Sequence, residues 1–481
     1  MSGTDHVSIL RAMDEPRVWR RWFRDPATWA PWRAFLSALF GLPLDDTAFE
    51  LFCACTGRKT ALAGGSTEAW LVCGRRSGKS FVLALIACFL AIFRDWRQYL
   101  SPGEIGYIKL LAVDRRQARV IHRYCRALLT EVPSLNQMVL EDNDDAIVLN
   151  NGVTIEIQTA SFRSVRGFTV IAALCDEIAF WRSDDSFANP DSEVIGALRP
   201  AMLTIKPHAF FLAASSPYAK RGELYNAYRR YWGHDDAPVL VWKAPTRTMN
   251  PTVPQRDIDE ALERDPDYAQ AEYYAEFRSD IETYVPRETV EASIVKGRFE
   301  LWPQPGIQYW GFVDAAGGSG SDSMALAISH REGTRGLLDE IRVLDAIREW
   351  RPPFSPDEAT KEAVARLNHY GVSTLRGDKF GGDWIAERFR QYGISYEACE
   401  KPKTQIYTEF LPLLNGGRAR LLDHGRLAMQ LCQLESRAVR GSGRLVIDHA
   451  PGHHDDLANV CAGALIGAGM TRSQLAWEGM L

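Results

Sequence analysis

From about Trp70 the chain alternates short apolar runs with helical stretches. AWLVC (69–73) precedes a glycine turn and an apolar stretch from Phe81 to Phe93, and YIKLLAV (107–113) precedes an arginine-rich helical pattern starting at Arg115. VTIEIQTA (153–160), TVIAALCDE (169–177) and AFFLAASSP (209–217) follow. Strands separated by helices predict an α/β fold with a mainly parallel sheet, because parallel neighbours need crossover connections. Residues 255–282 read as strongly helical, and ETYVPRE (282–288) reads as a linker with a proline stop. A second rhythm starts at Tyr309 with YWGFVDAA, SMALAISH and IRVLDAI in close succession, then helix, strand, helix. Three near-consecutive strands predict a meander and hence a mixed sheet. The expected division is an N-terminal helical region over 1–45, a first α/β domain over 46–282 and a second over 283–481.

A length of 481 residues fits two to three domains, and 46% hydrophobic with 24% charged residues is ordinary globular composition. The apolar run Phe81–Phe93 ends at Arg94 and is too short to span a bilayer, so no membrane association is expected. The opening MSGTDHVSIL lacks a basic stretch followed by an apolar core, which argues against a signal peptide. Nine cysteines without a CxxC pair fit neither a disulfide framework nor a zinc ribbon, and point to a reducing compartment. The formal charge of −5 excludes a generic polyanion binder, so any nucleic-acid contact must come from local patches. One aromatic and basic stretch (Trp19, Arg20, Arg21, Trp22, Trp29, Trp32, Arg33) reads mainly as helices covering the next domain.

Gly74-Arg75-Arg76-Ser77-Gly78-Lys79-Ser80 follows a strand and opens a helix. Phosphate binding needs backbone amides in a tight loop, a helix N-terminus, a lysine for the β/γ-phosphates and a hydroxyl on Mg²⁺. Gly78, Lys79 and Ser80 stand where those roles require, although Cys73 occupies the usual first-glycine position. The apolar run 170–175 ends in Asp176-Glu177, an aspartate suited to the Mg²⁺ shell and a glutamate suited to polarising the attacking water. The ordinary alternative for this acidic pair is the start of a helix.

In the second domain Asp314 ends a strand, Asp378 ends the segment STLRGD, and Asp455 and Asp456 open a helical stretch after RLVID. Three acidic positions at separate element ends can converge on two Mg²⁺ or Mn²⁺ ions, arranged as in a ribonuclease-H-like nuclease. Singly, each is equally a turn former or a helix-start charge. His453 and His454 lack a second His/Cys set and read as solvent-facing or DNA-proximal.

With these two sites, the chain resembles the tailed-bacteriophage terminase large-subunit family from about residue 46 to 470. The resemblance is carried by the loop Cys73–Ser80, by Phe162-Arg163-Ser164-Val165-Arg166-Gly167, and by Ala214-Ser215-Ser216-Pro217, similar to that family's coupling segment. The second half contributes Gly377-Asp378, Gly381-Gly382-Asp383-Trp384, Lys403-Thr404-Gln405-Ile406-Tyr407 and His454-Asp455-Asp456-Leu457-Ala458-Asn459. The resemblance implies a DNA-packaging motor that uses ATP and Mg²⁺ and cuts concatemeric double-stranded DNA. It further implies a terminase small subunit and a capsid portal as partners, a homo-pentamer on that portal, and the host bacterial cytoplasm as setting. Thr56-Gly57-Arg58 lies where adenine contacts belong, and Arg75, Arg76, Arg115, Arg116, Arg119 and Arg166 all qualify as the charge-stabilising arginine. The rival readings are a P-loop helicase or translocase with an attached nuclease, and a non-catalytic docking subunit.

Overall fold

The computed structural model describes residues 7–159, 167–181, 190–318, 322–333, 340–378, 382–438, 445–450 and 453–469. These form two compact units, one running to Ser279 and the other from Asp280.

In the first unit eight strands form one sheet: β1 (Glu68–Cys73), β2 (Gly106–Ala112), β3 (Val139–Asp142), β4 (Ala146–Leu149), β5 (Val153–Thr159), β6 (Thr169–Asp176), β7 (Phe210–Ser215) and β8 (Leu240–Ala244). Their order is β3-β4-β5-β2-β6-β7-β1-β8. Every pairing from β5 to β8 is parallel, and the β3–β4 and β4–β5 pairings are antiparallel. β7 is buried throughout and β6 at all but its first residue, which explains why both read as unbroken apolar runs. The β3–β4 hairpin escaped the sequence reading because VLED is short, half acidic and mostly exposed. The helix Lys79–Phe93 is buried along most of its length beneath this sheet, so its apolar run reflects a core element.

The tryptophan-rich N-terminal segment packs into the same core. Trp19 and Trp32 are both almost fully buried, and their indole N–H groups donate to the carbonyls of Leu128 (3.0 Å) and Ser77 (2.9 Å). The helical stretch near 255–282 is broken into Gln255–Arg264 and Pro266–Tyr274. Asp265 causes the break: as the residue before a proline it is pushed to extended backbone, and its carboxylate caps the second helix at Tyr268 N.

The second unit contains β9 (Ile281–Thr283), β10 (Tyr309–Asp314), β11 (Met324–Glu332), β12 (Ile341–Trp350), β13 (Thr374–Gly377), β14 (Ser395–Ala398), β15 (Ala419–Arg420), β16 (Leu434–Ala438) and β17 (Leu445–His449). The main sheet has the order β14-β13-β10-β11-β12-β15, and β17-β16-β9 form a small sheet. β10, β11 and β12 are an antiparallel meander, whereas β13 and β14 run parallel to β10 on its other side. This mixed arrangement is the ribonuclease-H-like one expected. The helix Asp456–Gly467 lies close on β10: a Cβ at Gly463 would come within 2.5 Å of the Phe312 ring. No helix among the described residues is long and apolar enough to cross a membrane.

Candidate active sites

In the first unit β1, β6 and β7 end side by side, and the chemistry-bearing residues follow their carboxyl ends. The loop after β1 is held by close backbone packing. Gly74 N–H donates to Ala244 O at 3.1 Å, and Arg75 N–H donates to Glu272 O at 2.5 Å. A Cβ on Gly74 would fall 2.3 Å from Thr246 Oγ1 and 2.8 Å from Tyr273 O, so only glycine fits. Gly78 has φ +102°, which is open to glycine at little cost. Thr246 Oγ1 and Asn250 Nδ2 donate to the carbonyls of Arg75 and Arg76, and Trp32 Nε1 to that of Ser77. With its carbonyls engaged from outside, the loop is fixed before any ligand arrives.

Lys79 is buried, donates to Cys73 O (3.1 Å) and Gly74 O (3.3 Å), and stands 3.5 Å from Glu177 Oε1. Cys73 itself points inward, and burial pushes its thiol up to about 12, so it is an inert packing group. Ser80 Oγ donates to Asp176 Oδ2 at 2.7 Å. Burial, then the neighbouring Glu177 charge, pushes the Asp176 carboxyl up to about 7. Its buried Oδ1 has no hydrogen-bond partner among the described residues. A hydroxyl and an under-satisfied carboxylate side by side fit a Mg²⁺ shell, since that ion takes hard oxygen ligands. Glu177 has φ +50°, a left-handed backbone costing roughly 1–2 kcal/mol for a residue with a Cβ. Its Oε2 accepts from Ser215 Oγ (3.0 Å) and Ser216 N–H (3.3 Å) at the end of β7. Glu177 thus ties two strand ends together within reach of Lys79.

In the second unit Val313 is paired with Gly377, so Asp314 at the end of β10 and Asp378 just after β13 stand at the ends of adjacent parallel strands. Helix Asp456–Gly467 closes the site, with Asp455 at its N-cap position. Asp314 Oδ2 accepts from Asn459 Nδ2 at 2.7 Å. Burial pushes the Asp314 carboxyl up to about 7; the Asn459 hydrogen bond opposes this, and the charges of Asp456, Asp455 and Asp378 add to it. Burial likewise raises Asp456 to about 6, although Ser323 N–H donates to it at 3.3 Å. Carboxylates buried together with so few donors fit hard divalent cations.

Asp455 is satisfied differently. Its Oδ2 accepts from Tyr407 OH at 2.8 Å and is 2.7 Å from Lys403 Nζ, which is also 2.7 Å from Asp448. Burial opposes the Lys403 charge, but Asp455 and Asp448 outweigh it and raise its pKa. The one set among the described residues whose ligand atoms lie within 4.8 Å of each other is Asp448, His449 and Asp455. Asp314, Asp378 and Asp455 are not gathered that tightly. Ligands around one Mg²⁺ at about 2.1 Å stand at most about 4.2 Å apart, so this triad is too wide for a single shared ion as it stands. A pair of ions about 3.5–4 Å apart spans a wider set.

Arg58 is buried and donates to Ala237 O (3.0 Å) and Val239 O (2.5 Å), bracing the segment before β8. Arg75 lies 3.6 Å from Glu272, while Arg115 and Arg119 pair with Asp145 (2.7 Å) and Asp144 (3.5 Å). Arg166 and most of 162–167 lie outside the described residues, as do Gly381 and the side chains of Gly382, Asp383 and Trp384. His454 is 3.5 Å from Asp322. Thr246, Asn250, Glu272, Ser323 and Asp448 were not singled out from sequence. They are single polar residues in unremarkable text, and only the fold brings them to the sites.

No protein-family model matches the chain, and no curated protein matches it. Among solved structures, it is similar to the large terminase of bacteriophage HK97, at 15% identity and TM-score 0.37, covering 88% of this chain and 95% of that one. It is similar to the large terminase of another bacteriophage, a thermophilic one, at 10% identity and TM-score 0.36, covering 85% and 95%. The large terminase nuclease of thermophilic phage G20c matches at 16% identity and TM-score 0.31, over 37% of this chain and 94% of that one. These remote likenesses are all to bacteriophage large terminases.

Proposed function

We propose that this chain is the large subunit of a viral DNA-packaging terminase, an ATP-driven motor on double-stranded DNA that carries a metal-dependent nuclease in its second unit. The observation that supports it most is one chain holding two carboxylate sites of different design. Ser80 and Lys79 meet Asp176 and Glu177 in the first unit, and Asp314 is buried with Asp378, Asp455 and Asp456 acting on it in the second.

In the first site the amides of the loop 74–80 and the Lys79 ammonium bind the β- and γ-phosphates, and Ser80 with Asp176 holds the Mg²⁺ that neutralises them. Glu177 accepts a proton from the attacking water, while Ser215 and Ser216 fix its other oxygen. Because Ser215 ends β7 and Ser216 follows it, Glu177 is linked directly to the end of that strand. In the second site Asp314, Asp378 and Asp455, with Asp456 as helper, hold divalent ions, Mg²⁺ or Mn²⁺. Such ions supply a water-derived nucleophile and stabilise the leaving oxygen of a phosphodiester. Lys403 and Tyr407 orient Asp455, and Asn459 orients Asp314. Cutting of concatemers, a small subunit, a capsid portal, a homo-pentamer on that portal and the host bacterial cytoplasm belong to the same proposal.

The test uses the full chain with DNA and portal. Glu177→Gln should lower ATP turnover by about 10²-fold or more with ATP binding retained, and Asp314→Ala should abolish Mn²⁺-dependent plasmid degradation. Unchanged ATP turnover in the first variant removes the motor, and persistent cutting in the second removes the nuclease site. Strand separation in a displacement assay would favour a helicase instead.

A further inference from the structure

The helix Arg115–Thr130 carries five arginines, one histidine and no acidic residue. At roughly 100° per residue, Arg115, Arg126, Arg119, Arg123 and Arg116 fall in that angular order within an arc of roughly 100°. They form one stripe along about 16 Å of helix. The opposite face, with Ala118, Ile121, Cys125, Leu128 and Leu129, is buried.

The inner edge of the stripe faces the acidic end of the β3–β4 hairpin. Arg115 is 2.7 Å from Asp145, Arg119 is 3.5 Å from Asp144, and Arg126 is 2.7 Å from Asp142. The turn is preformed: Asn143 Oδ1 accepts from Asp145 N–H (3.0 Å) and Ala146 N–H (2.9 Å). The outer edge is open. Arg116 and Arg123 are exposed and have no acidic partner within 4.0 Å among the described residues. Three aspartates spaced along one hairpin, each on its own arginine, reproduce the charge sequence that a run of backbone phosphates would offer.

We infer that this arginine stripe is a binding surface for the phosphate backbone of double-stranded nucleic acid, and that Asp142, Asp144 and Asp145 are its displaceable internal counter-charges. The inference rests on the proposed function for the choice of a duplex as partner. Arg116 and Arg123 make first contact; phosphates then compete for Arg115, Arg119 and Arg126. Arginine forks suit phosphate oxygens. The Arg115–Asp145 and Arg119–Asp144 pairs are exposed on both sides, so they contribute little and are screened by salt, while Arg126–Asp142 is more enclosed. Arginines along one helix face engage backbone phosphates, and phosphate contacts carry no sequence information, so affinity is independent of sequence.

The experiment measures binding of the full chain to short duplexes of two unrelated sequences over a range of NaCl concentrations. Two double variants are compared: Arg116→Ala with Arg123→Ala, and Asp144→Asn with Asp145→Asn. Thermal melts verify folding, which these exposed positions should not disturb. The arginine variant should bind at least about tenfold more weakly and show a log K against log salt slope shallower by about 2. The aspartate variant should bind more tightly at low salt, because a competitor for Arg115 and Arg119 is weakened. Equal binding by wild type and both variants overturns the stripe and leaves the proposed function standing. Absence of any duplex binding by the wild type, with or without nucleotide, contradicts the proposed function and the stripe together.

Discussion

Asn459 Nδ2 lies 2.7 Å from Asp314 Oδ2 and ties the helix Asp456–Gly467 to the end of β10. It is the main donor holding a carboxyl that burial pushes up to about 7. An outer residue that orients a ligand typically governs 10–100-fold in metal affinity. Asn459→Ala should therefore weaken Mn²⁺ binding by about tenfold, read by titration calorimetry, with a melting temperature that stays sharp. Unchanged affinity would separate Asn459 from the site.

The same carboxyl sets a pH dependence. Asp314 and Asp176 both rise from ordinary values near 4 to about 7, chiefly through burial. A folded-state value above the unfolded one means that the native state holds these protons more tightly. The stability they contribute is complete below pH of about 4 and is lost as pH rises through about 7. Divalent ions compete with those protons. The rise in melting temperature on adding Mg²⁺ should accordingly be small at pH 5.5 and large at pH 8. An equal rise at both values would contradict the assignment of these carboxyls as ligands.

Lys403 stands between Asp448 and Asp455 at 2.7 Å from each. Asp455 is buried whereas Asp448 is half exposed, so removing Lys403 leaves chiefly the Asp455 charge uncompensated, at a cost on the order of 3 kcal/mol. Lys403→Met should lower stability by that order in denaturant titration without metal, and added Mn²⁺ should restore part of it. Wild-type stability in the variant would show that the two carboxylates need no internal cation.

At the loop after β1, Gly74→Ala puts a methyl group 2.3 Å from Thr246 Oγ1. Turning the Thr246 hydroxyl away would not suffice, since the backbone atoms Thr246 N and Tyr273 O are each 2.8 Å away. The loop must shift, and its amides lose their aim. ATP affinity should fall by about tenfold or more, the change produced by losing about 1.4 kcal/mol of binding. Global stability should change far less, and unaltered ATP binding would mean that the loop does not cradle phosphate.

How legible these features were depended on whether local chemistry or tertiary packing decided them. β1, β6, β7 and the meander β10–β12 were visible because buried strands leave apolar runs that no surface loop tolerates. Lys79, Ser80, Asp176 and Glu177 were visible because each closes or follows such a run. The β3–β4 hairpin was not, since its first strand is four residues long, half acidic and mostly exposed, and its pairing partner makes it a strand. Asp448 and Glu272 stayed hidden for a related reason: a carboxylate on an ordinary strand or helix acquires a role only when Lys403 or Arg75 is folded against it. Arg58 is another residue whose contacts only the fold reveals. It lies in the region where adenine contacts are expected, and its guanidinium donates to the carbonyls before β8.

If separated acidic segments build two distinct cation-handling pockets, anomalous diffraction from Mn²⁺-soaked crystals of the full chain will locate both. The account predicts one manganese peak beside Ser80 Oγ and Asp176 in the presence of a non-hydrolysable ATP analogue, and a separate peak or pair among Asp314, Asp378 and Asp455. No peak at either place, or a lone ion held by Asp448, His449 and Asp455, would contradict it.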